Sequence, residues 1–162
     1  NKNTEVVVKA LKEVPEAHYI ACGIGPEEEN LKKLAEELGV ADRFHLLGYR
    51  TDMPQLMAAS DVFTMMSFRE GMPRSLLEAM DIGLPCVGSD TRGIRDLIDS
   101  DGGYICSPKD PHAFANAFNK LMNDRDLGRK MGTHNQGKVQ DYSAEVVKKE
   151  LYEIYKKTFD NK

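Results

Sequence analysis

Apolar positions along the chain alternate between a three-to-four-residue rhythm and short continuous runs. The first rhythm sets Val7, Val8, Leu11 and Val14 on one helical face, with Thr4 as N-cap and the end before Pro15. His18 to Cys22 then predicts a strand. The Gly23-Ile24-Gly25 turn leads into a helix through Leu38, with Gly39 as the residue that ends it. Arg43 to Leu47 predicts a second strand, Asp52 a cap for a short helix to Ala59, and Asp61 to Met66 a third strand. A helix opens at Pro73, a fourth strand covers Leu84 to Gly88, a helix Thr91 to Ile98, and a short strand Gly103 to Cys106. Asp110 to Met122, Asp126 to Gln136 and Ser143 to Phe159 read as helices. Strands bridged by helices in this way predict an α/β fold, a Rossmann-like doubly wound parallel sheet. Such a sheet should open with a strand, yet the first element is a helix. The first strand is therefore expected to be missing.

The richest chemistry lies in Ser67-Phe68-Arg69-Glu70-Gly71-Met72-Pro73-Arg74-Ser75-Leu76-Leu77-Glu78-Ala79-Met80. Proline suits the first position of a helix, where its missing N–H would be unpaired anyway. The amides of Gly71, Met72, Arg74, Ser75 and Leu76 would then point out of a helix N-terminus. Unpaired donors and the positive end of the dipole make that an anion site. Glu70 stands just ahead of it and Glu78 about one and a half turns inside the helix. At ~1.5 Å rise per residue the two carboxylates can reach opposite ends of one extended, phosphate-containing ligand. The plain alternatives are a surface-loop carboxylate for Glu70 and, for Glu78, a solvated glutamate paired with Arg74.

This segment resembles the E-x7-E motif of retaining glycosyltransferases with the GT-B fold, the family four or group 1 enzymes. Leu76-Leu77-Glu78-Ala79-Met80 followed by Gly83-Leu84-Pro85-Cys86-Val87 is similar to that family's LLEAMA-GLPVV run. Gly93 through Ile98 with Gly102-Gly103-Tyr104, Ile20 through Pro26, and Arg43 through Gly48 resemble further family motifs, in order along the whole chain. The resemblance implies one domain over residues 1–162: the C-terminal, nucleotide-sugar-binding half of a GT-B enzyme. It implies that Glu70 accepts hydrogen bonds from a hydroxyl of the transferred sugar, helped by the amides near Pro73. It gives Glu78 both ribose hydroxyls, since two carboxylate oxygens match a vicinal diol. Lys2 would neutralise the donor diphosphate, with a partner arginine upstream; a frayed terminal lysine is the other reading. Tyr49 and Arg50 would cradle the nucleobase, by stacking, or belong to an ordinary turn. The substrate implied is an NDP-sugar, with no cofactor and no essential metal. Its partners would be the N-terminal GT-B domain and a glycan or lipid-linked acceptor, in bacterial surface polysaccharide synthesis. Other readings are a non-catalytic nucleotide-binding or interaction module on the same fold, and a GT-B sugar-nucleotide epimerase.

Composition narrows this little. The 162 residues carry 41% hydrophobic and 30% charged positions, those of an ordinary globular domain. A net charge of −4 argues against a nucleic-acid partner. The odd, scattered Cys22, Cys86 and Cys106 predict free thiols, hence a cytoplasmic setting, with a peripheral membrane association open to the full enzyme.

Three motifs invite readings that the residues refuse. In Gly23-Ile24-Gly25-Pro26-Glu27-Glu28-Glu29 the third dinucleotide-binding glycine is replaced by Glu28, and three glutamates would repel a pyrophosphate. Asp99-Ser100-Asp101 and Asp124-Arg125-Asp126 spell a metal motif of a different glycosyltransferase class, but in loops without its context. His18, His45, His112 and His134 lack ligand spacing. The last helix sets Val147, Leu151, Ile154 and Tyr155 in a stripe, expected to pack on its own domain rather than on a membrane.

Overall fold

Short apolar runs form the strands of the computed structural model, which describes residues 2–160: β1 (Tyr19–Ala21), β2 (Phe44–Leu46), β3 (Phe63–Met65), β4 (Cys86–Ser89) and β5 (Gly103–Cys106). The helices are α1 (Thr4–Ala10), α2 (Glu28–Glu37), α3 (Met53–Ala58), α4 (Arg74–Ile82), α5 (Pro111–Asn123), α6 (Arg125–Val139) and α7 (Ala144–Asp160). Pairing is parallel throughout, with Tyr19 opposite Phe44, Phe63 opposite Cys86, and Cys86 opposite Gly103. The fold is the expected Rossmann-like α/β arrangement, with one difference. Its strands form two sheets, β2-β1 and β3-β4-β5, with a groove of about 600 Å³ between β1 and β3.

Local sequence accounts for most of these elements. Val6, Val7, Val8 and Ala10 are buried along α1, which packs on α5 and α2. Arg43 gathers the carbonyls of the turn that follows α1, its Nη1 donating to Leu11 O, Val14 O and Ala17 O at 3.2, 3.0 and 3.2 Å; the first two also accept from the Val14 and Ala17 amides. Gly39, at φ +68°, ends α2 as predicted. Asp110 caps α5 by accepting from the Ala113 amide, with Pro111 in the first turn.

Four expectations are corrected. Asn3, not Thr4, precedes α1. Asp52 precedes α3 without capping it, because Arg50 takes its carboxylate. Residues Thr91 to Ile98 form successive turns rather than a regular helix; Gly93, at φ +86°, departs from helical backbone at their third residue. The apolar stripe of α7 stays exposed at Val147, Leu151, Ile154 and Tyr155. Extended backbone at Ser143 carries α7 away from the body, and its main contact is with the 3₁₀ turn at 140–142.

The α4–α6 pair holds the second half together. A Cβ at Gly132 would lie 1.9 Å from Gly83 O, so the two helices meet through backbone. Asn135, fully buried, donates from Nδ2 to Leu84 O and Gly102 O, both at 2.8 Å. It thereby pins α6 to the chain entering β4 and to the residue before β5. Asp99 joins the same helix, within 2.7 Å of Lys138 Nζ and 2.9 Å of His134 Nε2. Partial burial pushes its carboxyl upward, but hydrogen bonds from Lys138 and His134 outweigh that and hold it at about 2.

Asn135→Ala should lower stability by about 1–3 kcal/mol without changing the fold, measured as a shift in the urea midpoint. Asp99 should act with a definite sign. A depressed folded pKa contributes stability that is complete above the unfolded value of ~4 and lost as pH falls toward 2. The stability gap between Asp99→Asn and the parent should therefore be full at pH 6 and close between about pH 4 and 2; a constant gap would refute the assignment.

Candidate functional site

Parallel strands deliver their carboxyl ends, and the loops that follow, to common edges. The loops after β1 and β2 are joined directly, Gly23 N–H donating to Gly48 O at 2.7 Å. The loops after β3 and β4 are joined by Thr91, whose Oγ1 donates to Ser67 O at 3.2 Å.

Lys2 and Glu70, 68 positions apart in sequence, meet at this edge, with Nζ 2.7 Å from Oε1. The Glu70 side chain is only 17% exposed against 69% for Lys2, so the lysine is the partner free to move. Burial raises the Glu70 pKa, but the hydrogen bond and charge of Lys2 overcome this and hold the carboxyl below its usual range. Ser67 adds to the effect by proximity, although its hydroxyl makes no well-formed hydrogen bond. Asn3 aims the lysine. It adopts the left-handed conformation, φ 50° and ψ 38°, which asparagine tolerates better than most residues, and its Nδ2 is tied to Pro108 O at 2.6 Å.

The helix N-terminus differs slightly from expectation. Pro73 has an extended ψ of 107° and so precedes α4 instead of starting it. Its carbonyl accepts from Leu76 and Leu77 at 3.1 and 3.3 Å. The Leu76 amide, expected to face outward, is thus consumed in the first turn. Those of Gly71, Met72, Arg74 and Ser75 have no partner among the described residues, leaving four donors beside Glu70. Ser75 and Lys2 also line one end of the groove between the sheets.

Glu78 lies exposed on α4 and makes no ion pair with Arg74, the partner its spacing allowed. Tyr49 projects into solvent at 76% exposure after Gly48. Arg50 is held by Asp52 through two hydrogen bonds of 2.8 and 2.6 Å, which fixes its guanidinium plane. The structure therefore brings Lys2, Glu70 and the free amides together, and sets Tyr49 and Arg50 apart on the loop after β2. No group of three or more His, Cys, Asp or Glu side chains suited to a metal occurs among the described residues.

Two supports were not legible as such. Gly93 is pressed against the Glu70 loop: a Cβ there would lie 1.9 Å from Gly71 O and 2.9 Å from Glu70 O. Thr91 braces the same loop through Ser67. The only sequence signal was a glycine inside an otherwise helix-like run, a mark of close backbone approach.

A model of the glycosyl transferases group 1 family matches residues 1–138. The chain belongs to that family. Among relatives, the N-acetyl-alpha-D-glucosaminyl L-malate synthase of Bacillus anthracis is 31% identical over 95% of this chain and 42% of its own length. The UDP-Gal:alpha-D-GlcNAc-diphosphoundecaprenol alpha-1,3-galactosyltransferase of Escherichia coli is 34% identical over 70% of this chain and 30% of its own. A crystal structure of Anabaena HepE in complex with UDP superposes with a TM-score of 0.89 at 25% identity, covering 96% of this chain and 45% of that one. This group 1 domain thus spans less than half the length of these relatives. The GT-B architecture, and its assignment to the C-terminal Rossmann-like half, follow from the same matches.

Gly93→Ala should destabilise the domain by about 2 kcal/mol or more, since the methyl must displace the Glu70–Gly71 backbone at a positive φ. Gly137→Ala is the internal control. Its Cβ meets nothing within 4 Å inside α6, so it should stabilise by about 0.5–1 kcal/mol. Equal effects of the two substitutions in chemical denaturation would show that the brace does not matter.

Proposed function

We propose that this chain is the donor-binding half of a retaining hexosyltransferase that binds an NDP-sugar and transfers its sugar to a glycan or lipid-linked acceptor. The observation that carries the reading is the convergence of Lys2, Glu70 and four unpaired amides at the start of α4. Two features suit a diphosphate there: the lysine cation and the positive end of a helix with free N–H donors. Glu70, kept ionised, is an acceptor for a sugar hydroxyl. Glu78, exposed and unpaired, offers two oxygens to the ribose diol. Tyr49 offers a planar face for the base, with the fixed guanidinium of Arg50 beside it.

In the full enzyme the mechanism asks this domain for electrostatics rather than nucleophilic attack. As the sugar–phosphate bond breaks, negative charge builds on the departing diphosphate. Lys2 and the α4 amides are placed to stabilise it. Lys2 must leave Glu70 to do so, which ties arrival of the phosphate to release of the carboxylate for the sugar. No step requires a divalent ion. The acceptor site belongs to an N-terminal GT-B domain, so this domain alone should bind nucleotide and transfer nothing. The Escherichia coli relative, named for a diphosphoundecaprenol-linked acceptor, supports a surface-polysaccharide role. Three free thiols, two of them buried, support a cytoplasmic one, with peripheral membrane contact open to the complete enzyme. No described helix is long and apolar enough to cross a membrane.

Calorimetric titration with UDP provides the test. Glu78→Ala should weaken binding by roughly ten- to a hundredfold, the loss of hydrogen bonds to a charged group worth ~1.5–3 kcal/mol. Glu70→Ala should leave bare UDP nearly unaffected and act on discrimination between UDP-sugars. Binding should persist in excess EDTA. Unchanged UDP affinity in Glu78→Ala would remove the ribose assignment.

A further inference from the structure

Sequence spacing gives His18 and His45 no reason to act together, since 27 positions separate them. Strand register supplies one. β1 and β2 pair in parallel with Ile20 opposite His45. His18 lies two residues before Ile20, and side chains alternate along a strand, so His18 and Ile20 share a face. Tyr19 and Phe44 take the other face, where their rings stack at 5.9 Å within the cluster formed with α1 and α2. His45 alternates with Phe44 and so joins His18 on the side away from that core.

The two imidazoles meet at an exposed surface, Nδ1 of His18 lying 3.0 Å from Nε2 of His45. Their planes are within 8° of parallel and their centres 5.3 Å apart. The facing nitrogens are closer than the centres by the combined ring radii, so the rings meet edge to edge rather than face to face. An imidazole lone pair lies in the ring plane and points outward from its nitrogen. Two such axes converge on one small gap, which a single hydrogen fills in the neutral pair.

The same gap suits a metal ion. Bonds of ~2.0–2.1 Å from a tetrahedral ion to two imidazoles set the nitrogens about 3.3–3.4 Å apart, so a shift of a few tenths of an ångström admits it. His18 can make that shift because it stands just ahead of β1, outside the ladder. The hydrogen between the rings moves to the far nitrogen of its own ring, which frees both lone pairs and leaves the histidines neutral.

We propose that His18 and His45 form a two-histidine site for a divalent transition-metal ion of the zinc, nickel or copper class, with water in the remaining positions. Imidazole selects such ions and offers magnesium or calcium none of the oxygen ligands they need. The ion cross-links β1 to β2. It sits toward the amino end of β1, whereas Lys2 and Glu70 meet at the carboxyl edge, so it is structural and takes no part in donor binding. Its effect is to fasten the two strands whose far ends carry the link from Gly23 to Gly48.

Calorimetric titration of metal into the chelator-treated 162-residue chain tests this without nucleotide, so its outcome is separate from that of the UDP titrations. Zn²⁺ and Ni²⁺ should each bind at one equivalent, Cu²⁺ more tightly than either, and Mg²⁺ not at all at the same concentrations. His18→Ala and His45→Ala should each weaken Zn²⁺ by more than the about tenfold that loss of an outer partner alone costs. His112→Ala and Cys22→Ser, which remove another exposed imidazole and the one thiol that is not buried, should bind as the parent does. Zn²⁺ should also raise the Tm of the parent and not of the two histidine variants. Substoichiometric Cu²⁺ should broaden the amide resonances of residues 18–20 and 44–46 before any others, a reading on the unsubstituted chain that stands even if a variant fails to fold. Parent-like Zn²⁺ affinity in either histidine variant overturns the proposal. So do an absence of saturable Zn²⁺ binding, equal binding of Mg²⁺, or Cu²⁺ broadening centred elsewhere.

Discussion

Parallel pairing of β1 with β2, and of β4 with both β3 and β5, governs the rest of this molecule. Parallel strands must be joined by crossovers, each of which carries the chain back to the amino edge, so that every strand ends at one common carboxyl edge. Chemistry-bearing loops from distant parts of the sequence are thus stacked side by side. Gly23 bonds to Gly48, Ser67 to Thr91, and Asp90 to Cys106, each pair linking the ends of neighbouring strands. Lys2 reaches Glu70 across 68 positions because α1 starts at that edge too.

The elements that sequence revealed best are those whose local chemistry has one solution. Gly39 at a positive φ, Asp110 before Pro111, and the apolar runs of β3 and β4 needed no partner to be recognised. The errors fall where a particular contact, near or distant, displaced the arrangement that residue type alone suggests. Asp52 was a plausible cap until Arg50 claimed it. The run from Thr91 to Ile98 has helical spacing, but Gly93 must lie flat against the Glu70 loop. Leu76 was counted as a free donor because the extended ψ of Pro73 has no sequence signature.

Site residues followed the same division. Glu70 and Glu78 were legible from their motif, and the structure adds what the motif lacks: one glutamate is half-buried and paired, the other open to solvent. Their environments differ accordingly, one carboxylate held in place by Lys2 and the other free on the surface of α4. Asn3 and Thr91 were invisible because their contribution is geometric. They touch backbone carbonyls at Pro108 and Ser67, contacts that no residue pattern encodes.

The backbone contact between Gly132 and Gly83 sits at the far end of α4 from Glu70, yet it affects what happens at the near end. A helix clamped at its C-terminus by a neighbouring helix, with Asn135 fastening the next residue, has little freedom to swing. Its first-turn amides are therefore preorganised. The entropy of aligning them is lost when the protein folds rather than when an anion arrives, so more of each hydrogen bond survives as affinity. Under the proposed function, loosening a contact buried under the opposite end of the helix would weaken anion capture without altering any group proposed to touch the anion.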